Sequence, residues 1–540
     1  MAYFKLTLAP GIDKQNTEYG AEGGWTDGDN VRFRYGMPEK IGGWTYFNGT
    51  ADYLVGFASF TFSWNNLAGT PYLAVGTNRK IYVSVGGAWY AHGASQGDFV
   101  TFSGAVSLGG QITADILNSE WEITEVTNSS TYTITAPVNA DGSDTGNGGA
   151  SVVGAYQISV GPDTSYFDYG FGTGTWGAST WGTPRTEVQV ETLNARIWHF
   201  DNFGQVLLMQ LVDGELYQWN PSDGVDTRAT LVSGAPTKNG YMLVSSPDRH
   251  LIAFGTETTI GDPSTQDPLF VRFSNQEDIN TFVESVTNTA GGPPYTFGFQ
   301  QLGSNCGALG PNSAIEVNGL AFWMGHEAFY VFDGTVKKLP CTLQDYVFDD
   351  INLVQEDKVF AALKVTWFYC SFTSDYIDRC VTYNYLENVW SEGTLARTSW
   401  QDVGSFQNPE ASEYFPESNE ATIGTIYGLT AGRSLIYNHE DGVNQADGSA
   451  ITAFIDSGYF DIGDGDNMIL MRRFIPDFKN QEGNLTVNLL LRAYPQTTAS
   501  PSSLDPYVIT PTTDKVDTRA RGRQIALKIT SDEVDTNWRY

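Results

Sequence analysis

Short stretches in which apolar and polar residues alternate recur along almost the whole chain, separated by turn residues. The clearest example begins with an aromatic, glycine-rich stretch at 166–185, continues with alternating residues at 196–200 and ends with an apolar run at 206–211. Alternation of period two predicts strands, and the many glycines of the first stretch exclude a helix. We therefore predict an aromatic loop followed by a buried hairpin whose turn lies at 201–204.

Similar strands repeat over residues 186–450, each with an aromatic residue shortly before a polar turn. Gaps of 53, 60, 53 and 54 residues separate these aromatic positions, which are Tyr217, Phe270, Tyr330, Tyr383 and Tyr437. A period near 50 residues is typical of a four-stranded propeller blade. Tyr82 fits as an earlier member if an inserted domain follows it. The sequence thus predicts an all-β fold with a β-propeller of about six blades, and an irregular β-sandwich is the alternative.

Changes in pattern divide the chain into successive regions. The region after Tyr90 has three or four short strands of its own, with a helical turn predicted at 113–117, and it reads as a small β domain inserted into a loop. The predicted regions are an N-terminal arm with the first strands (1–50), the propeller start (51–90), the inserted small β domain (91–157), the main β-propeller (158–450) and a C-terminal β-sandwich-like domain (451–540).

The 540 residues include 62 acidic and 30 basic side chains, which gives a formal net charge of −32. Proteins that grip phosphate need a basic patch, and the longest basic clusters in the sequence are only 472–473 and the alternate positions 519, 521 and 523. The acidity indicates either ordinary solubility or a wall that does not bind DNA passing beside it.

Catalytic and metal-binding patterns are weak in this sequence. The five histidines form no i,i+4 pair and no HExxH motif; these residues are His92, His199, His250, His326 and His439. The sequence also has no nucleophile elbow and no phosphate-binding loop. We expect structural histidines, no cofactor and no enzymatic activity. Free thiols are favoured over a disulfide for Cys370 and Cys380. A solvated turn is favoured over a calcium site for Asp461, Asp464 and Asp466, because their spacing does not match an EF-hand.

The aromatic loop supplies the candidate functional residues Trp176, Trp181 and Arg185. Tryptophans can stack on sugars, which would suit a glycan-binding or glycan-cleaving propeller. In an extended loop, however, an offset of five residues places the two tryptophans on opposite faces. We therefore favour a contact between subunits or a channel-lining element over a sugar platform.

Several motifs resemble one family. Residues 25–33 (WTDGDNVRF) and 36–44 (GMPEKIGGW) resemble the N-terminal signature of tail nozzle proteins of short-tailed bacteriophages, also called packaged-DNA stabilisation proteins. Similar resemblances cover 172–185, 196–204, 268–274 and the end of the chain at 521–527 and 538–540. Residues 97–134 resemble a small domain found inserted in phage tail proteins.

This resemblance implies a structural virion protein that forms a homohexameric ring at the end of the phage tail. The expected partners are an adaptor or hub protein, tail fibres and genomic DNA that passes through the lumen without sequence-specific binding. The chain has no run of 18 apolar residues and no secretory signal pattern, so we expect assembly in the host cytoplasm and no membrane-spanning segment. A receptor-binding or glycan-binding propeller tail protein is the alternative.

Overall fold

The computed structural model describes residues 5–92, 99–128, 131–142, 148–156, 161–165, 194–225, 227, 229–246, 248–282, 300–362, 364–402, 404–416, 432–461, 467–495 and 502–540. Within this part of the chain, strands dominate and form small antiparallel sheets. The predicted all-β class is confirmed. No helix of the described residues is long and apolar enough to cross a membrane.

Six small sheets, which we number I to VI in chain order, follow one another along most of the chain. Their strands meander, so that each strand pairs with the next. Sheet I contains Ala58–Asn65, Pro71–Thr77, Ile81–Val85 and Ala88–His92. Sheet II contains Trp198–Phe203, Val206–Leu211, Leu216–Trp219 and Thr230–Leu231, and sheet III contains Tyr241–Ser245, His250–Phe254 and Val271–Phe273.

Sheets IV and V repeat the four-stranded meander, whereas in sheet VI strands from near the start of the sequence take the place of the last strand. Sheet IV contains Ala314–Val317, Leu320–Met324, Phe329–Phe332 and Val336–Lys338, and sheet V contains Phe360–Ala362, Thr366–Tyr369, Arg379–Asn384 and Val389–Gly393. Sheet VI contains Ser399–Gln401, Glu410–Phe415 and Arg433–His439, and the N-terminal strands Trp44–Tyr46 and Leu54–Val55 complete it.

The aromatic repeat predicted from the sequence coincides with this pattern. Tyr82, Tyr217, Tyr330, Tyr383 and Tyr437 each lie on the third strand of their sheet. The remaining member of the repeat directly precedes the third strand of sheet III. Each repeat is therefore one sheet of similar connectivity.

Contacts between the first strands connect the sheets to their neighbours. The first strand of sheet II contacts the first strands of sheets I and III, and the first strand of sheet VI contacts those of sheets I and V. The first strands of sheets IV and V also touch. The neighbour order III–II–I–VI–V–IV is the one that consecutive propeller blades would have, with the N-terminal strands closing the last sheet.

The two ends of the chain form a second unit, which we call the terminal sheets. Terminal sheet A contains Trp25–Asp29, Ala453–Ser457, Gln524–Ser531, Leu485–Arg492, Ser502–Ser503 and Tyr507–Ile509. Terminal sheet B contains Val31–Arg34, Met37–Lys40, Asn537–Arg539 and Lys479–Glu482, and a two-stranded sheet pairs Ile469–Phe474 with Val516–Gly522. The C-terminal strands are thus completed by N-terminal ones. Trp25, Trp390 and Trp538 share one core, which joins the terminal sheets to sheet V.

The residues after sheet I form a separate sheet with its own core. Its strands are Thr131–Ile134, Glu120–Asn128, Phe99–Ser103 and Val153–Tyr156. Val100, Trp121 and Ile123 are buried between them. The predicted helical turn is present as Ala114–Leu117, where the Thr113 side chain caps the first turn.

Other helical segments are short. An α-helix at Gln344–Asp350 and 3-10 turns at Pro221–Asp223, Pro263–Thr265 and Leu353–Lys358 join strands. The hairpin of sheet II also differs from the prediction, because its first strand continues to Phe203 and the turn lies at Gly204 and Gln205. The polar residue Asp201 does not make the turn. Its carboxylate accepts a hydrogen bond from the backbone N–H of Val244 in sheet III.

Candidate functional site at the neck

The described chain on both sides of the 166–193 stretch meets at one point, which we call the neck. It consists of residues 161–165 and 194–196. Trp176, Trp181 and Arg185, the candidate residues from the sequence, lie between these two segments and outside the described residues. The neck is therefore the described structure closest in sequence to them.

Hydrogen bonds hold the two segments of the neck together. The backbone N–H of Ala195 donates to the Ser165 hydroxyl at 2.8 Å, and that of Arg196 donates to the Pro162 carbonyl at 3.0 Å. Thr164 and Ser165 are both buried. The two segments that flank residues 166–193 in the sequence are therefore joined directly to each other.

Gln355 holds the neck from the side of sheet V. Its amide oxygen accepts from the Ser165 N–H and its amide nitrogen donates to the Ser165 carbonyl, both at 3.0 Å. The Gln355 side chain thus imitates a strand partner for one buried residue. Asn78 of sheet I does the same at the other end, where its amide nitrogen donates to the Gly161 carbonyl at 2.8 Å and its backbone carbonyl accepts from the Gly161 N–H.

Asp163 accepts hydrogen bonds from two tyrosines. The hydroxyls of Tyr376, between the second and third strands of sheet V, and of Tyr414 in sheet VI donate to the same carboxylate oxygen, at 3.1 and 2.8 Å. The two rings lie 5.1 Å apart and pack beside Phe57. Sheets V, VI, I and II, which are consecutive in the neighbour order, therefore all contribute to the neck.

A buried lysine lies beside this group. The Lys358 ammonium donates to the Asp375 carbonyl at 2.6 Å and lies 4.9 Å from the ring centres of Phe57 and Tyr376. Burial lowers the pKa of Lys358 to about 8. A lysine with a lowered pKa can act as a base or a nucleophile. Here the Lys358 ammonium contacts a carbonyl and two rings, and the Asp163 carboxylate accepts from two hydroxyls. This arrangement suits a role in holding the segments of the neck together better than a role in catalysis.

Little in the sequence pointed to the neck. Gln355, Tyr376 and Tyr414, which bind Ser165 and Asp163, are 190 to 251 residues away along the chain. A short polar segment after a predicted domain is typical of a surface loop, and only the fold reveals that its side chains are enclosed.

A second group of functional candidates, which we call the terminal joint, lies where N-terminal strands complete sheet VI and terminal sheet B. Trp44 stacks on His439 with ring centres 5.4 Å apart, and the Arg397 guanidinium lies 4.8 Å from the Trp44 ring centre. Arg397 donates to the His439 Nε2 at 2.8 Å and pairs with Glu413 at 3.2 Å. Burial and the neighbouring guanidinium hold the pKa of His439 well below its usual range. The ring is therefore neutral and can accept this hydrogen bond.

Glu39 connects the two chain ends within the terminal joint. Its carboxylate accepts from the Arg32 Nε at 2.8 Å and from the Arg539 Nε at 2.7 Å. Arg32 also pairs with Glu440 at 2.5 Å. Burial by itself would raise the pKa of Glu39, but the hydrogen bonds from the two arginines lower it. The residues that carry the family resemblance at each end of the sequence thus meet in one ion-pair network.

The histidine, cysteine and aspartate candidates that the structure describes lie in surroundings typical of structural residues. His199 is buried, with its ring 4.2 Å from that of Tyr241, and burial lowers its pKa to about 3. Cys370 and Cys380 are free thiols. Asp461 accepts from the Tyr19 hydroxyl at 3.0 Å, and Asp464 and Asp466 lie outside the described residues. Among the described residues, no group of histidine, cysteine and acidic side chains has the arrangement of a metal site.

Comparisons with known proteins give no family for the chain. No family model matches it, and no curated protein does. A crystal structure described as that of an exported protein from Bacteroides fragilis is similar over 44% of this chain and 75% of its own, with 10% identity and a TM-score of 0.23. The structure of BBS1N in complex with ARL6DN covers 74% of this chain and 97% of its own, with 9% identity and a TM-score of 0.23.

A third solved structure is the extracellular domain of a one-component system from B. thetaiotaomicron. It covers 90% of this chain and 58% of its own, with 7% identity and a TM-score of 0.26. At such TM-scores these likenesses carry no argument about the fold or the function.

Proposed function

We propose that this chain is a structural virion protein that forms the tail nozzle of a short-tailed bacteriophage. In this proposal, six copies surround a conduit that retains the packaged DNA and then releases it. The six meandering sheets would be the blades of a propeller in each subunit, and the terminal sheets and the inserted domain would be additions to it.

The terminal joint is the observation that carries this proposal. The residues that resemble the N-terminal signature of nozzle proteins do not lie in a free arm, because they form strands of terminal sheets A and B and of sheet VI. The C-terminal residues of the same resemblance, Trp538 and Arg539, belong to the neighbouring strand of terminal sheet B. Strands within residues 25–46 pair with strands more than 390 residues later in the sequence, and such long-range pairing suits the wall of a pressurised conduit.

The charge of the chain supports the same function. Six copies of a net charge of −32 give a formal −192. Acidic side chains facing a lumen would repel phosphate within about one Debye length, roughly 8 Å at physiological salt. DNA could therefore slide along the wall without binding to it, and no sequence-specific contact is required.

The neck joins the two described segments that flank the aromatic loop in the sequence. We propose that Trp176, Trp181 and Arg185 act in a contact between subunits or in the channel wall. The expected partners are an adaptor or hub protein of the tail and the tail fibres, and the expected location is the virion. We expect no cofactor and no enzymatic activity.

The test is the symmetry of the purified protein and of the tails that contain it. Negative-stain microscopy and mass photometry should show a six-fold ring with a central channel. A stable monomer or a trimer in purified tails would overturn the proposal. Binding to host polysaccharide that is lost in Trp176→Ala would favour the glycan-binding alternative instead.

A further inference from the structure

Two basic clusters that are far apart in the sequence are neighbours in the fold. Ile469–Phe474 pairs antiparallel with Val516–Gly522, so that Leu470 lies opposite Arg521 and Arg473 lies opposite Asp517. We call this two-stranded sheet the arginine ribbon. No continuous basic stretch reveals it in the sequence, because 42 residues separate Arg473 from Val516 in the chain.

The two faces of the arginine ribbon differ in character. Along its second strand Thr518, Ala520 and Gly522 are buried, whereas Arg519 and Arg521 between them are exposed. Ala520 belongs to the core beneath terminal sheet A, and the hydroxyls of Tyr507 and Thr518 lie 2.6 Å apart. The inner face is therefore fixed, and it holds the outer arginines on a firm support.

Three arginines of the outer face have no acidic partner within the described part of the chain. Arg473 pairs with Asp517 at 2.5 Å, but among the described residues no carboxylate forms an ion pair with Arg472, Arg519 or Arg521. This is unusual in a chain with twice as many acidic as basic residues (62 against 30), where carboxylates are plentiful. The basic residues on and beside the ribbon are Arg472, Arg473, Lys515, Arg519, Arg521 and Arg523.

Apolar side chains are exposed among these arginines. Met468, Leu470 and Ile475 are 48%, 52% and 57% exposed. Arginine and methionine beside apolar groups are enriched at protein–protein interfaces, whereas a surface that grips nucleic acid mainly needs cations along the phosphate backbone. The mixed character of the ribbon favours a protein as its partner.

We propose that the arginine ribbon docks on an acidic surface of a second copy of this chain. This inference rests on the proposed ring and adds the surface that joins its subunits. Charge complementarity favours this partner, because every other copy carries the same large excess of carboxylates, and oppositely charged surfaces steer association and fix its register. The contact is heterologous, since a basic patch on one subunit meets an acidic patch on the next, and heterologous contacts build a ring when the rotation between neighbours closes.

The experiment compares the assembly of the wild-type chain with that of the triple variant R472Q/R519Q/R521Q. Mass photometry and sedimentation velocity at about 0.15 M salt measure the concentration of half-assembly. We expect the variant to need about tenfold more protein or more, equivalent to about 1.4 kcal/mol or more. The matched control K5Q/K338Q/K479Q removes three positive charges from exposed lysines outside the ribbon and should assemble like the wild type. Circular dichroism establishes that all three proteins are folded.

Each outcome bears on a different statement. The inference is supported if assembly is weaker in the ribbon variant than in the wild type and the control. Assembly of the wild type should also weaken as the salt concentration rises. If the wild type and both variants assemble equally well, the ribbon is not the contact, although the proposed ring stands. A wild type that stays monomeric at every concentration and in tails overturns both. Binding of a DNA duplex that is lost in the ribbon variant while assembly is unchanged would assign the ribbon to a polyanion instead.

Discussion

The neck and the terminal joint both fasten distant parts of the chain, but they do so with different chemistry. The neck holds buried backbone with the neutral amides of Gln355 and Asn78 and the hydroxyl of Ser165. The terminal joint relies on paired strands and on charged groups such as Glu39 and Arg539. Neutral hydrogen bonds are largely independent of pH and salt, whereas buried ion pairs depend on every partner being present.

The difference suggests how each region would respond to stress. Residues 161–165 of the neck do not belong to a strand, and the side-chain amides of Gln355 and Asn78 make hydrogen bonds to their backbone in place of a neighbouring strand. In the terminal joint, strand pairing already satisfies the backbone, and the charged side chains must in addition find their partners when these strands come together. A change in one partner should therefore affect the terminal joint most, and a change in pH should act through buried titratable groups, such as Glu410 near the terminal joint and Lys358 beside the neck.

Replacing Glu39 with alanine should produce the largest effect. The substitution leaves the mostly buried guanidiniums of Arg32 and Arg539 without their shared carboxylate, and breaking a buried ion pair costs about 3 kcal/mol or more. Urea unfolding would measure the loss in the free energy of unfolding. Glu327→Ala, at an exposed position, is the control and should change little. Equal effects of the two substitutions would show that the ion-pair network does not hold the chain ends.

Replacing Gln355 with methionine should have the next largest effect. The side-chain length is kept, but the buried N–H and carbonyl of Ser165 lose their partners, which costs about 2 kcal/mol. Hydrogen exchange should show faster exchange at the amides of Ser165 and Ala195 in particular. The control Gln301→Met changes an exposed glutamine. Unchanged exchange at the neck would mean that Gln355 is not what holds it.

Glu410 on sheet VI provides the pH-dependent part of the comparison. Its carboxyl is fully buried, and burial raises its pKa to about 8. Between pH 4.5, the ordinary pKa of a glutamate, and about pH 8, the folded state keeps a proton on Glu410 that the unfolded state has released. The free energy of unfolding therefore falls as pH rises through this range. Glu410→Gln keeps the neutral shape and should remove this decline.

Unfolding curves between pH 5 and pH 9 would measure it. We expect the variant to gain on the wild type by more than about 1.4 kcal/mol over this range, the equivalent of one pKa unit. The exposed Glu327→Gln should follow the wild type at every pH. A parallel pH dependence in Glu410→Gln and the wild type would remove Glu410 as the cause.

Local patterns predicted much of the fold. The period-two alternation and the aromatic repeat predicted strands whose positions agree with sheets I to VI, because each sheet carries an aromatic residue on its third strand or directly before it. The hairpin turn of sheet II was misplaced, since Asp201 has turn-forming chemistry but is used for a contact with Val244. Composition cannot reveal such a use, because the partner lies in another sheet.

Long-range pairings could not be predicted in the same way. The sequence separated the N-terminal arm from the C-terminal domain, whereas the structure pairs Trp25–Asp29 with Ala453–Ser457. The basic clusters looked too short to form a patch, yet strand register places them side by side. Of the candidate site, the role of the aromatic residues stays a prediction from their type, and the neck depends on partners such as Gln355 that no local motif marks. The proposed nozzle function and the hexamer stay predictions.

The smallest expected effect is that of Asp163→Asn, and it tests whether the neck is neutral in practice. The amide oxygen of asparagine can still accept from the hydroxyls of Tyr376 and Tyr414, so only the charge is removed. We expect the free energy of unfolding to change by less than about 1 kcal/mol, the value of an ordinary hydrogen bond, and to do so equally at low and high salt. A loss as large as that of Glu39→Ala would mean that the Asp163 charge stabilises the buried Lys358 ammonium. The neck would then depend on charge as the terminal joint does, and the contrast between the two regions would disappear.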